Sequence, residues 1–80
     1  MDKWKNWNDL LQEIEKESTI IVWTSTWNPF DKPMVNFLTR LGTDHLFFID
    51  HDSNYREAVK SGVTSTPSIV VYSKGKQVLI

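Results

Sequence analysis

Residues 19–24 read Thr-Ile-Ile-Val-Trp-Thr, a mostly β-branched run without a charge. A segment with no polar face to give to water predicts a strand buried on both sides, at the centre of a sheet. Helices are then needed to cover that sheet, and three candidates are present. Trp7, Leu10, Leu11 and Ile14 stand at i, i+3, i+4 and i+7, which predicts an amphipathic helix over residues 7–17 with Asn8 as its N-cap. Met34, Phe37, Leu38 and Leu41 repeat the spacing until Gly42 ends it, and a third helix carries Ala58 and Val59 and stops at Gly62. Residues 46–49 and 68–72 predict further strands, and the turn Ser73-Lys74-Gly75-Lys76 leads into a last strand at 77–80. Helices alternating with strands predict an α/β sandwich in one domain over residues 1–80. The crossover through residues 19–50 should be parallel and right-handed, and the hairpin antiparallel.

Composition narrows the function. The chain has 80 residues, 40% hydrophobic and 24% charged, which fits a small globular domain rather than a disordered chain. Nine basic against ten acidic residues leave a formal charge of −1, so no basic field draws in nucleic acid or an anionic membrane. No apolar run approaches the ~18 residues of a membrane span. The start Met1-Asp2-Lys3-Trp4-Lys5 lacks the apolar stretch of a signal peptide, so a cytoplasmic protein is expected.

Cysteine is absent, which removes thiol redox chemistry, disulfides, zinc–thiolate sites and iron–sulfur ligation together. His45 and His51 flank a strand on no shared periodicity and suggest no metal site, while Asp50, His51 and Asp52 read as helix caps facing solvent. Three glycines build no phosphate loop, and no Ser-His-Asp set can be assigned. No cofactor and no enzymatic activity are expected. Trp4 and Trp7 read as the packing face of the first helix.

The segment Trp27-Asn28-Pro29-Phe30-Asp31-Lys32-Pro33 joins the central strand to the second helix. Asn28 can cap that helix with Pro29 in its first position and Asp31 facing the positive end of its dipole. Pro33, five residues past such a cap, would delete an intrahelical hydrogen bond. Either the helix bends there, or it begins with Asp31 as cap and Pro33 in the first turn.

Three stretches resemble the thioredoxin-like family. Trp27-Asn28-Pro29-Phe30-Asp31-Lys32 stands where thioredoxins carry Trp-Cys-Gly-Pro-Cys-Lys, Asp50-His51-Asp52 is similar to their Asp-Val-Asp, and Gly62-Val63-Thr64-Ser65-Thr66-Pro67-Ser68-Ile69 to their Gly-Ile-x-x-x-Pro-Thr-Leu. The resemblance covers residues 7–80. It implies a mixed sheet of about four strands flanked by three helices and a cis bond at Thr66-Pro67; the family's C-terminal helix has no counterpart after Ile80 and is expected to be missing. Asn28 and Asp31 replace both redox cysteines, and Val22 matches the family's buried aspartate, so the family's activity does not carry over.

What remains is recognition. Trp27, Asn28, Pro29, Phe30 and Asp31, with Thr66 and Pro67, form the expected protein-binding site, taking an extended partner segment by strand-like hydrogen bonds. The alternative is a structural or assembly subunit that associates with itself or a partner. It would use the sheet face left bare beside Ile69, Val71 and residues 78–80. Small size and short ends also suit a viral protein acting on a host target.

Overall fold

A computed structural model describes residues 3–79, in which β1 (Thr19–Thr24) is an inner strand with a neighbour on each side. The sheet order is β2-β1-β3-β4, with β2 spanning Leu46–Asp50, β3 Ser68–Ser73 and β4 Lys76–Leu79. β2 runs parallel to β1 with Val22 opposite Phe48, β3 antiparallel with Val22 opposite Ile69, and β4 closes an antiparallel hairpin. Lys74 and Gly75 make that turn at positive φ, 52° and 86°. This backbone suits the twist of a two-residue hairpin and explains the glycine.

Residues of β1 alternate between two apolar clusters. Ile21 and Trp23 face one cluster with Leu10, Ile14, Ile49, Ala58, Val63, Val70 and Tyr72; Val22 faces the other with Leu46 and Phe48. Two helices serve the first face, α1 (Trp7–Ile14) and α3 (Tyr55–Lys60), the latter entered through a 3-10 turn at Asp52–Asn54. The second face receives only α2 (Lys32–Leu41), which half-buries Met34, Val35 and Leu38 and buries nothing fully. Phe37, Leu41, Ile69 and Val78 are consequently exposed. The mixed four-stranded sheet with three helices is the predicted architecture; Ile80 lies outside the described residues.

Four local expectations are corrected. α1 stops at Ile14, three residues before the predicted end, where the hairpin binds the chain: Gly75 N–H donates to the last helical carbonyl, Ile14 O, and Lys74 N–H to Lys16 O just beyond the helix, each at 2.9 Å. The N-cap position of α1 is Asn6 rather than Asn8, and its first free N–H, on Trp7, is satisfied from elsewhere by Asn54 Oδ1 at 3.2 Å. Trp4 is not on the helix. It forms a single parallel bridge with Phe48, held by Lys5 N–H to Phe48 O (2.9 Å) and Phe48 N–H to Lys3 O (2.8 Å), and its ring packs on that of Phe48 at 5.4 Å. Val59 is exposed while Ala58 is fully buried, so α3 packs on one residue of the predicted pair.

Candidate functional site

β1 delivers Thr24 and Ser25 to the carboxyl end of the sheet, and the chain then turns twice before α2. Asn28 N–H donates to Ser25 O and Asp31 N–H to Asn28 O, both at 3.2 Å. Asn28 Oδ1 accepts from Phe30 N–H at 3.0 Å, the Asx-turn geometry natural to that side chain. Asn28 therefore folds the loop and does not cap the helix. Regular helix begins at Lys32 with Asp31 in the N-cap position and Pro33 in the first turn, where a missing N–H costs nothing.

Asp31 makes no side-chain cap bond. Its carboxylate points back to the strand end: Oδ2 accepts from Thr24 Oγ1 at 2.9 Å and from Ser25 N–H at 3.0 Å. The residue is 1% exposed, and Oδ1 is buried without a hydrogen-bond partner. A buried acceptor left unmet costs ~1–3 kcal/mol, so this oxygen is out of balance with its surroundings. Asp31 is thus not a surface residue of the loop, whereas Trp27, Pro29, Phe30 and Pro67 are exposed and Asn28 and Thr66 half-buried.

Two further segments reach the loop. The Thr66–Pro67 peptide bond is cis, and Thr66 Oγ1 meets Ser25 Oγ at 3.3 Å, which brings the two predicted halves of the site together. On the other side Asp50 Oδ1 accepts from Thr26 N–H (3.3 Å) and Thr26 Oγ1 (3.4 Å), and Trp27 Nε1 donates to Asp52 Oδ2. The acidic stretch, expected to cap a helix and face solvent, does more than that. Asp50 Oδ2 caps the 3-10 turn, accepting from Ser53 N–H at 2.9 Å and Ser53 Oγ at 2.7 Å, while Asp50 and Asp52 tether the loop. His51 is half-buried, edge-on to Trp23 and Tyr55.

Partial burial works against the charge on Asp50, but the hydrogen bonds from Ser53 and Thr26 outweigh it and hold the carboxyl below its ordinary value. A carboxyl depressed by folding stabilises the protein above its unfolded value, and that contribution is lost as pH falls through the folded value. The thermal midpoint, followed from about pH 7 down to about pH 3, should fall on the acid side, and less steeply in Asp50→Asn. Parallel acid limbs in the two proteins would refute this assignment.

A cleft of about 260 Å³ opens beside the loop, lined by Thr24, Ser25, Thr26, Asn28 and Asp31, with Trp4 as one wall and Lys32, Val35 and Asn36 from the start of α2. No sequence pattern announces this cleft, since Trp4 enters only through the bridge to Phe48 and the strand-end hydroxyls carry no motif. Among the described residues no group of three His, Asp or Glu side chains is placed to hold a metal ion, and no helix is long and apolar enough to cross a membrane.

No protein-family model matches the sequence, and no curated protein matches it. Solved structures do. The chain superposes on Plasmodium falciparum thioredoxin with a TM-score of 0.79 and 23% identity, covering 98% of this chain and 81% of that one. For Fasciola hepatica thioredoxin the TM-score is 0.74 at 21% identity, covering 89% and 72%. A mutant thioredoxin from Halobacterium salinarum NRC-1 gives 0.73 at 24%, covering 96% and 74%. The order and register of the sheet, the cis-proline beside the loop and these superpositions agree that the chain has the thioredoxin-like fold, here without a cysteine.

Proposed function

We propose that this chain is a protein-binding module that carries out no catalysis and takes an extended partner segment at the loop of Trp27, Asn28, Pro29 and Phe30 and the adjoining Thr66-Pro67. One observation carries the reading. Trp27 is 70% exposed and Phe30 87% exposed, on a loop held in place by bonds from Trp27 to Asp52 and from Thr26 to Asp50. Large aromatics held in the open lose little freedom on binding, which is how interface anchors gain affinity. Asp31 serves the site from beneath, by fixing the turn at Ser25. The absence of any thiol supports a binding role over the exchange chemistry its fold often hosts.

Selection of displayed random peptides on the wild-type protein tests this. Selected peptides should shift amide resonances of residues 26–31 and 64–68, and the Trp27→Ala/Phe30→Ala variant should bind them at least tenfold more weakly, consistent with hot-spot losses of ~2 kcal/mol or more. Peptides bound equally by the folded variant would remove the loop from the site.

A second reading rests on the exposed Phe37, Leu41, Ile69 and Val78, apolar surface on and beside the face that has α2 as its single helix. Self-association through this face gives a mass that rises with concentration in sedimentation and is returned to the monomer by Ile69→Lys. A monomeric mass at every concentration eliminates a homodimer.

A further inference from the structure

We propose that the cleft beside the loop binds a protonated amine or guanidinium group, recognised by the buried carboxylate of Asp31 against the ring of Trp4. Among the described residues Asp31 is the one acidic side chain lining the cleft, and its Oδ1 has no donor. Its other oxygen is served by two neutral donors, Thr24 Oγ1 and Ser25 N–H, and neither ion pair found among the described residues involves it. A carboxylate removed from water without a counter-charge favours a cation that can also hydrogen-bond. Trp4 supplies the second element, since an indole ring attracts alkylammonium and guanidinium groups. At about 260 Å³ the cleft has room for such a head with part of its alkyl stem.

Lys32 also lines the cleft and is exposed, so its charge opposes a second cation. This fixes a sign that a merely structural Asp31 would not: neutralising Lys32 tightens binding. The inference rests on the protein-binding reading only for the source of the cation, which on that reading is a lysine or arginine of the partner segment. A free alkylamine carries the same chemistry.

Titration with n-butylammonium, N-methylguanidinium and neutral n-butanol at constant ionic strength, followed by the indole resonance of Trp4 and the amides of Ser25 and Thr26, tests it. Both cations should give saturable shifts and butanol none. Asp31→Asn should weaken binding at least tenfold, and Lys32→Gln, a change at an exposed position that leaves the fold intact, should strengthen it severalfold. Equal response to butanol, no saturation, or an unchanged or weaker affinity in Lys32→Gln overturns the proposal. The Trp27→Ala/Phe30→Ala variant should keep its affinity for the cations, which separates this site from the loop. Selected peptides rich in Lys or Arg and competed by butylammonium identify the partner as the source, whereas saturable cations without such peptides assign a free amine. Peptides that bind the loop while neither cation saturates defeat this inference and leave the protein-binding reading standing.

Discussion

Trp23→Ala is expected to remove a large share of the protein's folding stability. The side chain is fully buried on the inner strand, packed against the tilted ring of Trp7 at 6.0 Å and edge-on to His51, within the larger cluster. Truncating a buried tryptophan costs ~3–5 kcal/mol. A domain of this length has ~4–12 kcal/mol in total at 0.05–0.15 kcal/mol per residue. Urea unfolding followed by circular dichroism should therefore show a midpoint far below that of the wild type. Trp23→Phe is a milder change, because it keeps a ring in place and removes an indole N–H that has no hydrogen-bond partner. A cooperative transition of wild-type midpoint in the alanine variant would mean that the two clusters hold the sheet without this side chain.

The second large effect is a gain. Asn28→Cys combined with Asp31→Cys should convert an inert loop into a dithiol that closes to an intramolecular disulfide and accelerates insulin reduction by dithiothreitol, where the wild type matches the reagent alone. The turn from residue 28 to 31 is closed by the Asp31 N–H to Asn28 O bond at 3.2 Å. A four-residue turn of this kind brings its end Cα atoms within ~7 Å, overlapping the ~4.4–6.8 Å that a disulfide spans. The second thiol would sit at the start of α2, where thiolates are favoured. It would also leave Ser25 N–H without its acceptor, so the reduced variant should be less stable by ~1–3 kcal/mol. A folded variant that stays reduced under oxidising conditions would show that the loop has lost the geometry as well as the cysteines.

How far these features could be read from residues alone depended on whether the deciding contact was local. β1 was legible to the residue, because six apolar or β-branched positions between polar flanks allow one register. The start of α2 was legible as a pair of alternatives, and Pro33 chose between them by excluding a helix that begins at Asn28. The end of α1 was not, since it is set by N–H groups of the hairpin some sixty positions away in the chain. Trp27, Asn28, Pro29 and Phe30 were readable as an aromatic loop. The burial of Asp31 was not, because polar residues at a helix start ordinarily face water, and here Ser25 N–H turns the carboxylate inward. The place of Trp4 was hidden for a related reason: its partner, Phe48, lies on a strand more than forty positions along the chain.

Trp4 and Trp7 are three positions apart, yet one packs beside Phe48 on the α2 side of the sheet and the other against Trp23 on the opposite side. The residues between them wrap the outer edge of β2 as a clip wraps a page. Two half-cores that the sheet keeps from touching are thereby joined at its rim by a few covalent bonds as well as through β1. Pulling that clip away would loosen both at once, so this short segment helps a very small protein melt as one body rather than as two leaves.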